Sequence, residues 1–288
     1  MKFPFLFLFY LILAGGTSLA AETYPKTILP EDTTQLWLSE GMENSDTVLI
    51  LCQGGPKDHL SFEKKRKVIW RYLPDYERKN IVHLHQAQTL NPALFDFEGD
   101  FTKKIANQEI KTTSEILFRA VQYFKNRNKT VIVIGHSYGA FCVIHCLAHH
   151  IPSADSYVIS AGRIIDNPLA IQTFLAGRNG SYKKAGKKFV ADKDDDDEYS
   201  TEEVRHYKVR QILKGTIGSF NYPQLLAGKD LSNVLFFYSE KDERVGRLTA
   251  EELAFLKSKK VQIFTSKVSH SDVMKEVIDA ALEGAISL

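Results

Sequence analysis

Gly135-His136-Ser137-Tyr138-Gly139 sets a serine between two glycines, directly after the β-branched run Thr130 to Ile134 and directly before the apolar stretch Ala140 to His149. Strand, sharp turn and helix is the context in which G-x-S-x-G lifts a nucleophile above a sheet. Such a turn is tight and strained, and it leaves no room for a side chain two residues before or after the serine. The helix that follows points unpaired N–H groups toward the place where negative charge develops during attack on a carbonyl. A serine hydroxyl is a poor nucleophile at neutral pH, so a base and a group to orient it should follow in the chain order Ser, acid, His. Asp242, in Ser239-Glu240-Lys241-Asp242-Glu243-Arg244-Val245, follows the run Val234 to Tyr238; His270, in Val268-Ser269-His270-Ser271-Asp272, follows the run Val261 to Thr265. Each therefore stands at the carboxyl end of an expected strand, the edge of an α/β sheet where sites form. Glu240 and Glu243 are the fallback acids in the same loop.

Acyl transfer also needs donors for a developing oxyanion. The loop after the run Thr47 to Cys52 reads Gln53-Gly54-Gly55-Pro56, a side-chain-free backbone, and the two expected donors are the N–H of Tyr138 and the N–H of Gly55. Other candidates carry less. His83 and His85 alternate along Ile81 to His85 with no third metal ligand in view. Asp194 to Asp197 lack the spacing and central glycine of a calcium loop. His149 and His150 close a helix, where cations suit the dipole. The three cysteines, Cys52, Cys142 and Cys146, read as small buried thiols rather than as a disulfide framework. No dinucleotide fingerprint or phosphate-binding loop is present.

The elements that must position these residues follow from periodicity. Thr47 to Cys52, Ile81 to His85, Thr130 to Ile134, Tyr157 to Ser160, Val234 to Tyr238 and Val261 to Thr265 are short continuous apolar runs, as expected of parallel strands buried on both faces. Helical spacing marks Ser61 to Leu73, Thr112 to Lys125, Ala140 to His149, Thr249 to Lys257 and Ser271 to Ile286. Strand alternates with helix, which implies right-handed crossovers and a mostly parallel, doubly wound sheet. Gln35 to Ser39 is expected as an edge strand in an N-terminal hairpin. The alternation fails once, from Arg163 to Ser232, where an insertion holds the helix-like pieces Pro168 to Leu175 and Thr201 to Leu213, a Gly/Lys-rich stretch, an acidic run from Asp192 to Glu198 and a tail with Tyr222 and Pro223.

The chain opens with Met-Lys, an apolar stretch from Phe3 to Ala14 and a small-residue run ending in Ala20-Ala21. That plan predicts a secretory signal peptide over 1–20 cut after Ala20, because the stretch is short of the roughly 20 residues that span a bilayer. The expectation is an exported protein, periplasmic or secreted, with no stable membrane anchor after cleavage. The formal charge is +2, one unit of it from Lys2, and the charges are scattered, so no nucleic-acid partner is implied.

Together the oxyanion loop at Gly54 and Gly55, the elbow at Ser137, Asp242, His270 and the insertion after Tyr157 to Ser160 resemble the α/β-hydrolase superfamily over nearly the whole mature chain. The resemblance implies an α/β fold with a core of 21–162 and 233–288, a helical cap over 163–232, and a Ser-His-Asp triad that needs no metal or organic cofactor. Where the family often begins its oxyanion loop His-Gly, this chain has Gln53. The expected activity is hydrolysis of a carboxylic ester, esterase- or lipase-like, through an acyl-enzyme. The alternatives are an aminopeptidase, amidase or acyltransferase on the same triad and a peptide-like substrate, or a non-catalytic binding protein of the same fold.

Overall fold

The computed structural model describes residues 24–61, 78–192 and 200–288 of the 288-residue chain. The expected signal peptide, the expected helix beyond Ser61 and the acidic run beyond Asp192 lie outside the described residues. Among the described residues no helix is long and apolar enough to cross a membrane.

The strands are β1 (Trp37–Gly41), β2 (Thr47–Cys52), β3 (Asn80–Leu84), β4 (Thr130–His136), β5 (Ser156–Ser160), β6 (Gly180–Lys183), β7 (Lys188–Ala191), β8 (Val234–Ser239) and β9 (Gln262–Ser266). Seven of them form one sheet in the order β1-β3-β2-β4-β5-β8-β9, parallel throughout except for antiparallel β1. The helices are α1 (Ala87–Leu90), α2 (Ala93–Asp96), α3 (Lys103–Lys125), α4 (Tyr138–His149), α5 (Pro168–Leu175), α6 (Thr201–Gly218), α7 (Tyr222–Leu225), α8 (Ala250–Ser258) and α9 (Val273–Leu282).

The strand sequences explain the layering. Along β2, Val48, Ile50 and Cys52 face one core with α3, α4 and α6, while Leu49 and Leu51 face a second core with Val273, Met274, Val277 and Ile278 of α9. Val131 and Val133 of β4 repeat the first face, and Ile132 and Ile134 the second. A strand buried on both sides loses the polar alternation of a half-exposed one, which is why these runs are continuously apolar.

Two expectations need correction. β1 makes no hairpin with β2; it pairs with β3, Leu38 opposite His83 and Ser39 opposite Val82. Both edges of β2 are already taken by β3 and β4, so the first strand crosses to the free edge. The helix expected from Thr112 begins instead at Lys103, capped by Thr102 Oγ1, which accepts from Ile105 N at 3.3 Å. Its first turns are mostly polar and bury few side chains, so their period is faint.

Between β5 and β8 the chain builds α5, the antiparallel β6-β7 hairpin, α6 and α7. The hairpin occupies the Gly/Lys-rich stretch. Val209, Ile212, Leu213 and Ile217 of α6 join the main core beside α3 and α4, whereas Ala170, Phe174, Tyr182 and Phe189 make a small core of their own.

Candidate active site

β4 ends at His136, and the chain reverses through Ser137 at φ 56° and ψ −123° before α4 begins at Tyr138. A non-glycine residue there costs on the order of 1–3 kcal/mol and persists only because its surroundings over-determine it. Those surroundings are visible. Ser137 N donates to Ser160 O on β5 at 2.9 Å, and the flanking glycines admit backbone where a methyl group would collide. A Cβ on Gly139 would lie 2.1 Å from Cys52 O, and one on Gly135 would lie 2.5 Å from Gly139 O.

The acid and the base arrive from the next two strands. Ser239 Oγ, at the end of β8, donates to Val268 O at 2.5 Å, and Glu240 N donates to Ser266 O at 3.0 Å, which ties the two loops together. Asp242 is 1% exposed; its Oδ1 accepts from the N–H groups of Arg244 and Val245 at 2.8 Å each. Its Oδ2 faces His270 Nδ1 at 2.8 Å, and His270 Nε2 faces Ser137 Oγ at 2.9 Å. The structure thus brings the three sequence-selected side chains into one hydrogen-bonded line. Of the fallback acids, Glu243 accepts from the backbone N–H of His270 at 3.1 Å rather than from its ring.

Gly55 and Tyr138 line the same cavity as Ser137 and His270. Gln53 keeps that loop in place from its own side chain: Nε2 donates to His59 O and Oε1 accepts from Ser61 N, both at 2.8 Å. From behind, Gln86 Nε2 donates to Gln53 O at 2.8 Å, and Gln88 Nε2 donates to Gln86 Oε1 at 2.6 Å. The residue that departs from the His-Gly pattern therefore staples the loop that carries Gly55. Sequence reading singled out neither Gln86 nor Gln88, because nothing in their spacing signals a contact to a distant loop.

The cavity measures about 280 Å³. Beyond Ser137 and His270 its walls include Phe141, Phe174, Ile217 and Val245, with Asp166, Tyr182, Lys214 and Arg244 among the polar groups. Desolvation and the nearby Arg244 and Arg210 guanidiniums push the pKa of Lys214 down to about 8. Burial raises that of Asp166, against the opposing pull of Arg163. None of these four was foreseen, because the fold of the insertion that supplies most of them is not written in local spacing.

The remaining candidates resolve into ordinary contacts. His83 Nε2 sits 2.9 Å from Glu40 Oε1, and His85 Nδ1 sits 3.0 Å from Thr89 Oγ1. His149 stacks on His145, and His150 on Phe118. The three cysteines are buried and free. At the surface, Asp96, Glu202 and His206 bring donor atoms within 4.8 Å of one another, a grouping far from any spacing motif.

No protein-family model matches the sequence, and no curated protein matches it. Solved structures do. The chain is similar to MGS-M2, an α/β-hydrolase enzyme from a Medee basin deep-sea metagenome library, at 14% identity and a TM-score of 0.51, over 88% of this chain and 94% of that one. It is similar to a lipase-esterase related protein from Clostridium acetobutylicum at 11% identity and a TM-score of 0.52, over 87% and 98%. It is also similar to MenH from S. aureus at 12% identity and a TM-score of 0.50, over 86% and 96%. The chain has the α/β-hydrolase fold.

Proposed function

We propose that the chain is a serine hydrolase acting on a small carboxylic ester. The observation that carries this reading is the continuous line from Ser137 Oγ through the His270 ring to Asp242, at 2.9 and 2.8 Å, opening onto a cavity. In the proposed mechanism Ser137 Oγ attacks the carbonyl carbon as His270 Nε2 takes its proton. Asp242 Oδ2 accepts from Nδ1–H and so fixes the tautomer and stabilises the imidazolium. The N–H groups of Tyr138 and Gly55 are the proposed donors to the tetrahedral oxyanion, of the kind whose loss elsewhere costs about 10²–10³ in rate. The imidazolium then protonates the leaving alcohol, and water deacylates the serine by the same steps in reverse roles.

The lipase-esterase related protein that shares the fold supports esters as the first substrates to try. The cavity volume lies near the small end of the roughly 300–1,000 Å³ typical of ligand pockets, which favours a short acyl or alcohol group over a long lipid chain.

The test is intact-mass analysis after treatment with a fluorophosphonate, with Ser137→Ala and His270→Ala run alongside. One adduct on the wild type, absent from Ser137→Ala and strongly slowed in His270→Ala, is expected. A folded wild type that takes no adduct would sink the proposal.

A further inference from the structure

Resting on the reading of Ser137 as a nucleophile, we infer that the substrate carries a negatively charged group, a carboxylate on a short chain, which docks on Lys214 and Arg244 in the cavity beside the triad. Lys214 projects from α6 and Arg244 from the loop after β8, so two separate elements deliver cations to the wall that also holds Ser137 and His270. Neither side chain has a carboxylate partner among the described residues. The only polar contact of Lys214 Nζ there is Gln211 Oε1 at 3.2 Å, a neutral group, and Nζ lies 5.7 Å from the centre of the Phe174 ring.

A charged amine taken out of water normally has a carboxylate beside it or sheds its charge. Lys214 has the opposite neighbours, Arg244 and Arg210, and both oppose its protonation. The negative groups nearby are committed elsewhere. Asp166, on the cavity wall, accepts from Asn167 N at 2.7 Å and from Tyr182 Oη at 3.2 Å, and its charge is offset by Arg163. Asp58 faces Arg210 at 3.9 Å, and Asp242 is held by His270, Arg244 N and Val245 N. Lys214, with no carboxylate beside it, and Arg244, which is also open to solvent, set two cations on one small cavity, where an anion gains from meeting both. The apolar walls from Phe141, Phe174 and Ile217 suit the methylene chain between that anion and the scissile ester.

The experiment reads binding rather than turnover. Ser137→Ala protein, which cannot react, is titrated calorimetrically with monomethyl glutarate and with its neutral counterpart methyl pentanoate. Charge-assisted hydrogen bonds contribute about 1.5–3 kcal/mol, so the anionic ester should bind roughly 10- to 100-fold more tightly. That preference should shrink to within about threefold when Lys214→Gln is added and survive in Lys214→Arg, with circular dichroism unchanged. Equal affinity for the two esters, binding of neither, or a preference that persists in a Lys214→Gln/Arg244→Gln protein overturns the inference. Fluorophosphonate labelling of the wild type is independent of these outcomes, so a failure here leaves the nucleophile standing and a failure there leaves the anion site standing.

Discussion

At the scale of single residues, two positions make opposite statements about cost. Glu109 of α3 is 0% exposed; Oε1 accepts from Thr27 N at 3.4 Å, and Oε2 has no hydrogen-bond partner among the described residues. Desolvation raises its pKa. The native state therefore holds the Glu109 proton more tightly than the unfolded chain does, and ionisation at neutral pH opposes folding. Glu109→Gln should stabilise the protein by about 1–2 kcal/mol at pH 7, a gain that shrinks as the pH falls toward the unfolded carboxyl pKa. Urea titrations at pH 7 and pH 5 would show it, and an equal effect at both would contradict it. Gly139 argues the other way. Alanine inside a helix is favoured over glycine by about 1 kcal/mol, but a methyl group against Cys52 O forces backbone apart, and overpacking costs about 1–3 kcal/mol or more. Steric cost wins, so Gly139→Ala should melt lower and lose fluorophosphonate labelling. The elbow was legible from sequence because these steric demands leave a five-residue trace. Lys214 and Arg244 left none: a lysine on a helix and an arginine in a loop resemble any solvated side chain until the fold sets them on one cavity wall.

At the scale of elements, the β6-β7 hairpin grips the loop that carries Asp242. Tyr182 N donates to Glu243 O at 2.8 Å, and Arg247 N donates to Gly186 O at 3.1 Å. Arg163, between β5 and α5, joins the hairpin to α8: its Nη1 donates to Tyr182 Oη and Val245 O, and its Nη2 to Glu252 Oε2 at 2.9 Å. Glu252 is 0% exposed and also accepts from Ile164 N and Ile165 N. Removing one partner of such a pair strands the other charge, so Arg163→Met should cost about 3–5 kcal/mol of stability. It should also slow labelling of Ser137 by loosening Asp242, measured as the rate of adduct formation in native buffer. The hairpin escapes sequence reading because Gly180–Lys183 and Lys188–Ala191 carry little hydrophobic alternation, and their lysines face water. The partner of β1 escapes for a different reason, since pairing across some forty residues of chain leaves no local mark. By contrast β2 and β8 coincide with their expected runs almost residue for residue, because burial on both faces demands unbroken apolar sequence.

At the scale of the whole molecule, the insertion is built into the main core. α6 packs on α3, α4 and α5, and Leu213, Ile217 and Tyr222 are buried in the core that the sheet shares with α3 and α4. A cap that swings as one body would have to expose those side chains, at roughly 1.5–3 kcal/mol apiece. Thermal unfolding should therefore be one transition by calorimetry, with tryptophan fluorescence and far-ultraviolet dichroism coincident. A separate low-temperature step assigned to 163–232 would show the insertion to be a detachable unit. The small core of Ala170, Phe174, Tyr182 and Phe189 stands apart from the main core but is tied to the Asp242 loop through the Tyr182 N–H and to Arg163 through the Tyr182 hydroxyl.

Cys52 closes β2 with its carbonyl against Gly139, while Cys142 and Cys146 sit on the helix that starts at the elbow. Burial raises all three thiols, Cys146 to about 12, and none is bonded to another. An alkylating reagent needs an exposed thiolate, so a molecule with its core closed is invisible to it. The rate of alkylation in native buffer thus becomes a clock for the opening of the joint between β2 and α4. The protein carries, without any added label, a chemical counter of how often its nucleophile loses its support.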